Sequence, residues 1–489
     1  MKRLSIALGS ILVVTAAATG VANAQVPTFN KEVAPILYEQ CATCHRPGEV
    51  APMSLLTYKE VRPWARAIKA KVVTRQMPPW FADLDSSTKF RGVRVLTQPE
   101  IDLLAAWADA GAPEGAGSAP AAPNFIDGSN AAVNRRPDYV LESPDTIEIP
   151  ATGQIPGFSL WSKTPFTENT FFEAVELRPT NRAVTHHVGA YAVPLPAGGS
   201  IGTGPAWKGG PTVNGVYTNA SGQARAENGG VELEAVRPVD GELPFVGARR
   251  PRALTGRSLN LLATYAPAGG FFSYEPGTAK RIGPDNNYIS WNLHYTGTGK
   301  PEKGRELLML WTHQGPVRHE VMATLISDVK IVNGKELLAK TASQSDVGDQ
   351  PNIPAYEENY SLVGMTAFDS AVTITNLWPH MHLRGKSMHF IVAYPDGREE
   401  TILNVPSYRF DWQLFYSLKT PIKVPAGSVV RAETVYDNSL KNRVNPSPAT
   451  EVVWGGMSWE EMHFPFVEYT VDDEIQSWNK STRAESPTR

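Results

Sequence analysis

The chain has 489 residues, with 46 Lys and Arg against 49 Asp and Glu and a formal charge of −3. That length exceeds what one hydrophobic core serves, so two or three domains are expected, and the near balance of charge excludes a strongly basic nucleic-acid binder. Forty Gly and forty Pro favour a loop-rich β protein over a helical bundle, and two Cys exclude a disulfide-stapled scaffold.

The opening reads as an export signal. Lys2 and Arg3 precede an apolar run from Leu4 to about Ala18, then Ala22-Asn23-Ala24. These are a basic n-region, an apolar h-region and an A-x-A cleavage site. The run is shorter than the ~20 residues a membrane span needs. Residues 1–24 are therefore expected to be removed, leaving Gln25 first. No later segment is long and apolar enough to span a bilayer, so a periplasmic or secreted location is expected. Both Cys then need a reason to exist in an oxidising compartment.

Cys41-Ala42-Thr43-Cys44-His45 supplies that reason. Two thiols at C-x-x-C spacing reach the two vinyl groups of one haem, and the next residue offers its imidazole to the iron. A zinc site needs four ligands, and no other Cys exists. A redox dithiol usually ends a strand, whereas Asn30 here reads as the cap of a helix through Val33, Ile36 and Leu37. One covalent haem c is expected on Cys41 and Cys44, with His45 as axial ligand. Met77, in Arg75-Gln76-Met77-Pro78-Pro79-Trp80, is the expected second axial ligand, with Met53 as competitor.

Further helix signals follow. Thr57 with Glu60, and Thr97 with Glu100, form capping-box pairs. Pro63 implies a kink or a late start in the first of these helices. Ile101, Leu104, Ala105 and Ala108 share a face of the second, and Gly111 stops it. Residues 28–112 resemble a class I cytochrome c, including the Met-Pro-Pro ligand loop. An Ala/Gly/Pro-rich stretch then opens a linker over 113–136, which is expected to be flexible.

From about 137 the pattern turns to strands. Runs at 170–177, 187–193, 260–265, 287–296, 306–312, 371–378, 388–394 and 428–436 are rich in β-branched and aromatic residues and bounded by turn residues. No short repeat is present, so β-sandwiches are expected rather than a propeller or solenoid. Segment 197–256 is Gly-rich and weakly periodic, and reads as a long excursion.

Ten His are present, and five beyond His45 fall in three places: His186-His187, His294, and His380-Met381-His382. Residues two apart on a strand face the same way, so His380 and His382 can share one metal ion. His186 and His187 are adjacent and need a strand end or bulge to converge. His313, His319, His389 and His463 read as ordinary surface or core residues. Three imidazoles suit zinc, whereas a thioether would tip the choice to copper. Met462 is the candidate thioether, with Met457 as its competitor.

The order His-His, His-Tyr, His-x-His-x-x-Gly and Glu-Met resembles the copper type II, ascorbate-dependent monooxygenases, which include peptidylglycine α-hydroxylating and dopamine β-monooxygenase. The likeness covers about 138–475 and includes Phe171 to Pro179 leading into His186. It implies a mainly β fold of tandem jelly-roll β-sandwiches, here at 137–325 and 326–478, preceded by the small all-α cytochrome c domain and followed by a tail at 479–489. It implies two copper ions, one on His186, His187 and His294 for electron transfer, the other on His380, His382 and Met462 for binding and activating O₂. The implied reaction is R–H + O₂ + two electrons + two protons giving R–OH + water.

Three departures shape the expectation. No Cys remains for the disulfides of the animal enzymes. Trp378 stands where the peptide-amidating enzyme has a carboxylate-binding Arg, and Phe464 and Phe466 stand where it has Asn and Tyr. An apolar or aromatic small substrate is therefore expected, held in an apolar pocket. The fused cytochrome is expected to replace ascorbate as immediate reductant, fed by a periplasmic electron donor. Two other classes of function remain: a non-catalytic electron-transfer or copper-holding protein, and a reductase or oxidase whose electrons leave through the haem.

Overall fold

The computed structural model describes residues 26–152, 158–194, 261–336 and 350–473, apart from gaps at 50, 84, 86–87, 124–132, 134, 268, 327 and 456–457, together with four short strands between 212 and 235. The export signal, most of the 197–256 excursion and the tail lie outside the described residues, as does Met457.

The helical segment follows its capping signals with one exception. Thr57 and Thr97 each form the expected capping box. Pro63 sits in a 3₁₀ turn, Arg62–Trp64, between helices Tyr58–Val61 and Ala65–Val73, because proline cannot continue the α hydrogen-bond ladder. Helix Gln98–Asp109 ends before Gly111, whose φ of 84° only glycine adopts freely. The exception is Asn30. A π-helical turn, Phe29–Val33, starts earlier than expected, and its cap is Thr28, whose N–H and hydroxyl donate to the Glu32 carboxylate at 2.8 and 3.1 Å. The buried Asn30 amide donates instead to the carbonyls of Gly115 and Gly117 at 3.3 and 2.7 Å. Phe29 N–H also bonds the Pro113 carbonyl. The first residues of the expected flexible linker are thus tied down onto the helices.

The remainder is mainly β and forms two pairs of sheets. In the first pair, strands Phe158–Lys163, Thr185–Val193, Leu261–Tyr265 and Tyr288–Tyr295 make a four-stranded sheet. Strands Tyr139–Glu142, Thr170–Pro179, Phe271–Ser273, Thr278–Ile282, Glu306–Thr312 and His319–Glu320 make a six-stranded one. Leu160, Val188 and Trp291 of the smaller sheet share a core with Val175, Leu177 and Leu308 of the larger. The second pair repeats the plan. Strands Met322–Leu325, Val372–His380, Tyr416–Val424 and Phe464–Val471 face a six-stranded sheet that includes Tyr360–Phe368, Gly385–Ala393 and Ser428–Tyr436. Ile374, Leu377 and Tyr469 pack there with Leu362, Phe390 and Val430. Every strand run read from the sequence overlaps one of these strands.

The two four-stranded sheets also pack against each other. Trp161, Tyr191, Val193 and Leu261 of the first share a core with Leu325, Trp378, Phe464 and Phe466 of the second. The period of two along a strand explains this double burial. Val188, Ala190 and Ala192 turn into their own pair, while Tyr191 and Val193 turn toward the other. A buried ion pair, Lys280 to Glu468 at 2.8 Å, crosses between the pairs.

The helical segment is docked on the sheets. Ala82 and Phe90 belong to the second pair's core, and the rings of Trp80, Phe90 and Tyr416 lie 5.2–6.3 Å apart. Asp83 N–H bonds the Asn404 carbonyl and Arg91 N–H the Ser417 carbonyl. Arg182, from the first sheet pair, is ion-paired with Glu49. Among the described residues no helix is long and apolar enough to cross a membrane.

Candidate functional site

Strand geometry brings the histidines together. Even-numbered residues of Tyr288–Tyr295 point away from the core that holds Ile289, Trp291 and Leu293, which sends His294 toward the second sheet pair. His187 pairs directly with His294 across the ladder. The register then shifts: Tyr295 pairs with Thr185, which leaves His186 as the extra residue of a bulge. The adjacent histidines thus converge by the device their spacing requires. On the second sheet His380 ends Val372–His380, pairs with Phe464 and shares the outward face with Trp378.

The result is one cluster of five imidazoles drawn from both sheet pairs, with His187, His294, His380 and His382 buried and His186 partly exposed. His186 Nδ1 and His187 Nδ1 lie 2.9 Å apart. Ring centroids are separated by 4.0 Å for His187 and His294, 5.7 Å for His187 and His380, and 5.3 Å for His380 and His382. Burial holds the His186 imidazolium down to about 4, only partly offset by the Asp411 carboxylate. His187 and His380 are pushed well below the ordinary histidine range, first by burial and then by the neighbouring rings. These imidazoles are therefore neutral near pH 7, the form that ligates metals.

Met462 follows Glu461 on the segment that leads into strand Phe464–Val471. The buried Glu461 carboxylate accepts from the backbone N–H groups of His382 at 3.0 Å, Arg384 at 2.6 Å and Met462 at 3.2 Å. His382 Nδ1 is 3.3 Å from the Glu460 carbonyl, and Met462's carbonyl accepts from Tyr436 at 3.0 Å. The Met462 side chain packs against the core between the sheet pairs. The Tyr408 hydroxyl donates to the Met381 carbonyl at 2.6 Å. Gly385 ends the His-x-His-x-x-Gly motif because a Cβ there would lie 2.7 Å from both Met381 and Tyr408.

One side chain links the two sets. The Gln413 Nε2 amide is 3.3 Å from His187 Nδ1, and its Oε1 is 2.6 Å from His380 Nδ1. Gln413 has a φ of 34°, in the left-handed region that costs a non-glycine residue about 1–3 kcal/mol and clusters at functional sites. The indole N–H of Trp378 donates to its carbonyl at 3.0 Å and holds it there. Three residues earlier, the Phe410 ring lies 4.5 Å from His186 and 5.9 Å from His382.

The C-x-x-C-H motif opens onto a cavity of about 270 Å³ lined by Cys41, Cys44, His45 and Met77, with Asp411 and Trp412 from the β region. The two cysteines are not joined. Burial pushes the Cys41 thiol up to about 12 and raises that of Cys44, the reverse of an activated redox dithiol. His45 Nδ1 lies 3.3 Å from the Met53 carbonyl, so it donates there and leaves Nε2 as the basic nitrogen. Met53 packs against the helical core, whereas Met77 lines the cavity. A second cavity of about 350 Å³ adjoins it, lined in part by Trp80, Arg91, Arg94, Asn376, Trp412 and Gln413.

These arrangements bear on a haem and on metal ions differently. The cavity brings together two thiols, an imidazole and a thioether, the donor set a covalent haem requires. Among the described residues no three His, Cys, Asp or Glu side chains stand at metal-ligand geometry. The rings are bonded to neighbours instead: His294 Nε2 faces Asn292 Oδ1 at 3.1 Å, and His187 stacks on His294. The donor chemistry nevertheless fits. His186, His187 and His380 are held in the neutral form by burial, and neutral imidazole is the form that binds a metal ion.

The expected apolar pocket is not where Trp378, Phe464 and Phe466 lie. These rings fill the core between the sheet pairs, with Trp378 stacked between Phe415 and Phe466. They line neither cavity. A sequence does not say which outer sheet face another sheet covers. Sequence reasoning gave no role to Gln413, Phe410, Trp412, Tyr408 or Glu461. Only Glu461 carried a signal, as the residue before Met462. Of the histidines read as ordinary, His463 is buried with Nδ1 3.2 Å from Thr434 Oγ1, and His319 bonds the Val471 carbonyl.

No family model matches the chain, and no curated protein does. Among solved structures, one of PNGF-II is 12% identical, with 68% of this chain covered and a TM-score of 0.24. The chain spans 65% of the length of that protein. The major capsid protein P2 from bacteriophage PM2 is 9% identical, with 68% of this chain and 97% of that one covered and a TM-score of 0.19. An infectious bursal disease virus structure (Gx strain) is 8% identical, with 69% and 73% covered and a TM-score of 0.15. Likeness at this level carries no argument about function.

Proposed function

We propose that the chain is an exported copper monooxygenase that carries a haem, hydroxylating a C–H bond of a small apolar substrate with O₂ and receiving electrons through its helical segment. The observation that carries this reading is the meeting of His186, His187, His294, His380 and His382, far apart in sequence, in one cluster beside the C-x-x-C-H cavity. The finer fold belongs to the same proposal: each sheet pair is a jelly-roll sandwich, and 28–112 a class I cytochrome c domain.

Cys41 and Cys44 would bind the haem covalently, with His45 and Met77 as axial ligands. His186, His187 and His294 would hold one copper ion, and His380, His382 and Met462 the other. When bound, the haem carries electrons singly and the copper ions pass them to O₂, with imidazole and thioether donors stabilising Cu(I). The chain's own residues set the conditions for this. Glu461 and Tyr408 fix the turn that presents His382, and the same Glu461 carboxylate accepts from the Met462 N–H. Gln413 orients one ring of each set. Trp378, Phe464 and Phe466 exclude water between the sheets. With Trp378 in place of a cation, no clamp for a peptide carboxylate exists there, and tight binding of glycine-extended peptides would refute the substrate class.

The test is the copper-to-haem ratio of the purified holoprotein. Two coppers per haem are expected, with one lost or weakened in Met462→Ala. Absence of copper, or zinc in its place, would sink the reading. A non-catalytic electron-transfer or copper-holding protein is the second reading, favoured by the filled aromatic core around the cluster. Oxygen uptake that requires an added organic substrate separates the two.

A further inference from the structure

We propose that the segment Arg409–Gln413 is the electron route between the C-x-x-C-H cavity and the histidine cluster, with Trp412 as its entry point. The proposal rests on the reading of these sites as haem and copper centres.

Consecutive residues of one turn divide the contacts between the two sites. Asp411 and Trp412 line the cavity together with Cys41, Cys44, His45 and Met77. Phe410 meets His186, His187 and His382 at centroid distances of 4.5, 6.4 and 5.9 Å. Gln413 reaches His187 and His380 by hydrogen bonds. An electron leaving the cavity wall at Trp412 therefore crosses covalent bonds, then one ring contact or one hydrogen bond, to reach either histidine set. Electronic coupling decays least steeply through bonds and short packed contacts, and most steeply across empty gaps.

The turn is also held in place. Trp412 N–H donates to the Arg409 carbonyl at 3.1 Å, and Gln413's carbonyl is fixed by Trp378. The helical segment that carries the cavity is docked through Phe90, Tyr416 and the Arg182 to Glu49 pair, so the two sites do not depend on a chance encounter. In each transfer a ferrous haem iron becomes ferric and one Cu(II) becomes Cu(I). No atom moves, and the route residues are unchanged at the end.

The experiment uses the full chain loaded with haem and copper. Under anaerobic conditions the haem is reduced with one equivalent of a small-molecule reductant, and its reoxidation by Cu(II) is followed by haem absorbance and by loss of the Cu(II) EPR signal. Trp412→Leu is expected to slow reoxidation about tenfold or more, and Trp412→Phe to stay within about threefold of wild type. The haem potential, the Cu(II) EPR spectrum and the copper-to-haem ratio are expected to stay as in wild type. An unchanged rate in Trp412→Leu overturns the route, as does equal slowing in both variants or a slowing that a shifted haem potential accounts for. If the wild-type haem is not reoxidised by bound copper, the functional reading falls and the route falls with it.

Discussion

His186, His187 and His294 are held by the ladder between two neighbouring strands, whereas His380 and His382 stand where a strand ends. The ladder fixes the first set through backbone pairing, with the bulge at His186 supplying the only irregularity. The second set has no such ladder beyond His380. Its turn is held by a carboxylate, Glu461, which lies 79 positions along the chain from His382. The comparison separates two ways of building a site. One relies on register and is local to a strand pair. The other relies on a buried carboxyl group that accepts three backbone hydrogen bonds.

The largest expected effect tests that dependence. Glu461→Ala leaves three buried N–H groups, those of His382, Arg384 and Met462, without their acceptor. At about 1–3 kcal/mol for each orphaned group, a loss of about 5 kcal/mol is expected in denaturant unfolding. Copper binding at the second set is expected to fail while the first set retains its ion. Equal loss at both sets would break the comparison.

Next in size is the link between the halves. Lys280 and Glu468 form a buried pair, and Asn376 adds a bond of 2.7 Å to the same carboxylate. Lys280→Ala strands a buried charge and is expected to cost about 3–5 kcal/mol in thermal or denaturant unfolding. A far smaller loss would show that the aromatic core alone docks the two sheet pairs.

The first set has an ionisable neighbour too. Tyr295, beside His294, donates to Glu306 at 2.6 Å. Burial raises the Glu306 carboxyl from 4.5 to about 7. The folded state thus favours the protonated acid. The stability this gives is complete below the unfolded pKa and is lost as pH rises through about 7. Relative to Glu306→Gln, the wild type is expected to lose at most about 3 kcal/mol between pH 4 and pH 8, read from thermal midpoints. A constant difference across that range would mean that Glu306 titrates in the folded chain as it does in the unfolded one.

Much of this architecture is legible in the sequence, and the illegible parts share a cause. Capping boxes and alternating strands are local signals, and they located both helices with Thr caps and the strands that carry His187, His294 and His380. Local signals also mislead. Thr28 and Asn30 are both cap residues by type, and only the folded linker, which takes Asn30, decides between them. Tyr416–Val424 carries Pro421 and two Lys, and Phe464–Val471 carries Pro465 and Glu468, so neither reads as a strand from its own residues. The fate of Trp378, Phe464 and Phe466 depends on the docking of one sheet on another. Gln413 is the extreme case, since nothing in its loop has a period and its partners lie on two different sheets.

Gln413 also gives the smallest expected effect and the sharpest contrast with Glu461. His380 Nδ1–H donates to Oε1, and the amide Nε2–H donates to His187 Nδ1, so one amide sets the proton positions of a ring in each set. Leucine has nearly the same shape and keeps the packing. Gln413→Leu therefore removes two neutral hydrogen bonds, and about 1–2 kcal/mol is expected from denaturant midpoints. Copper titration then discriminates between the two devices. Gln413→Leu is expected to weaken both sites by a similar modest factor, because it touches one ring of each. Glu461→Ala is expected to abolish one site alone. If Gln413→Leu instead spares the first set, ladder pairing is sufficient to hold His187, and the bridge serves only the strand-end site.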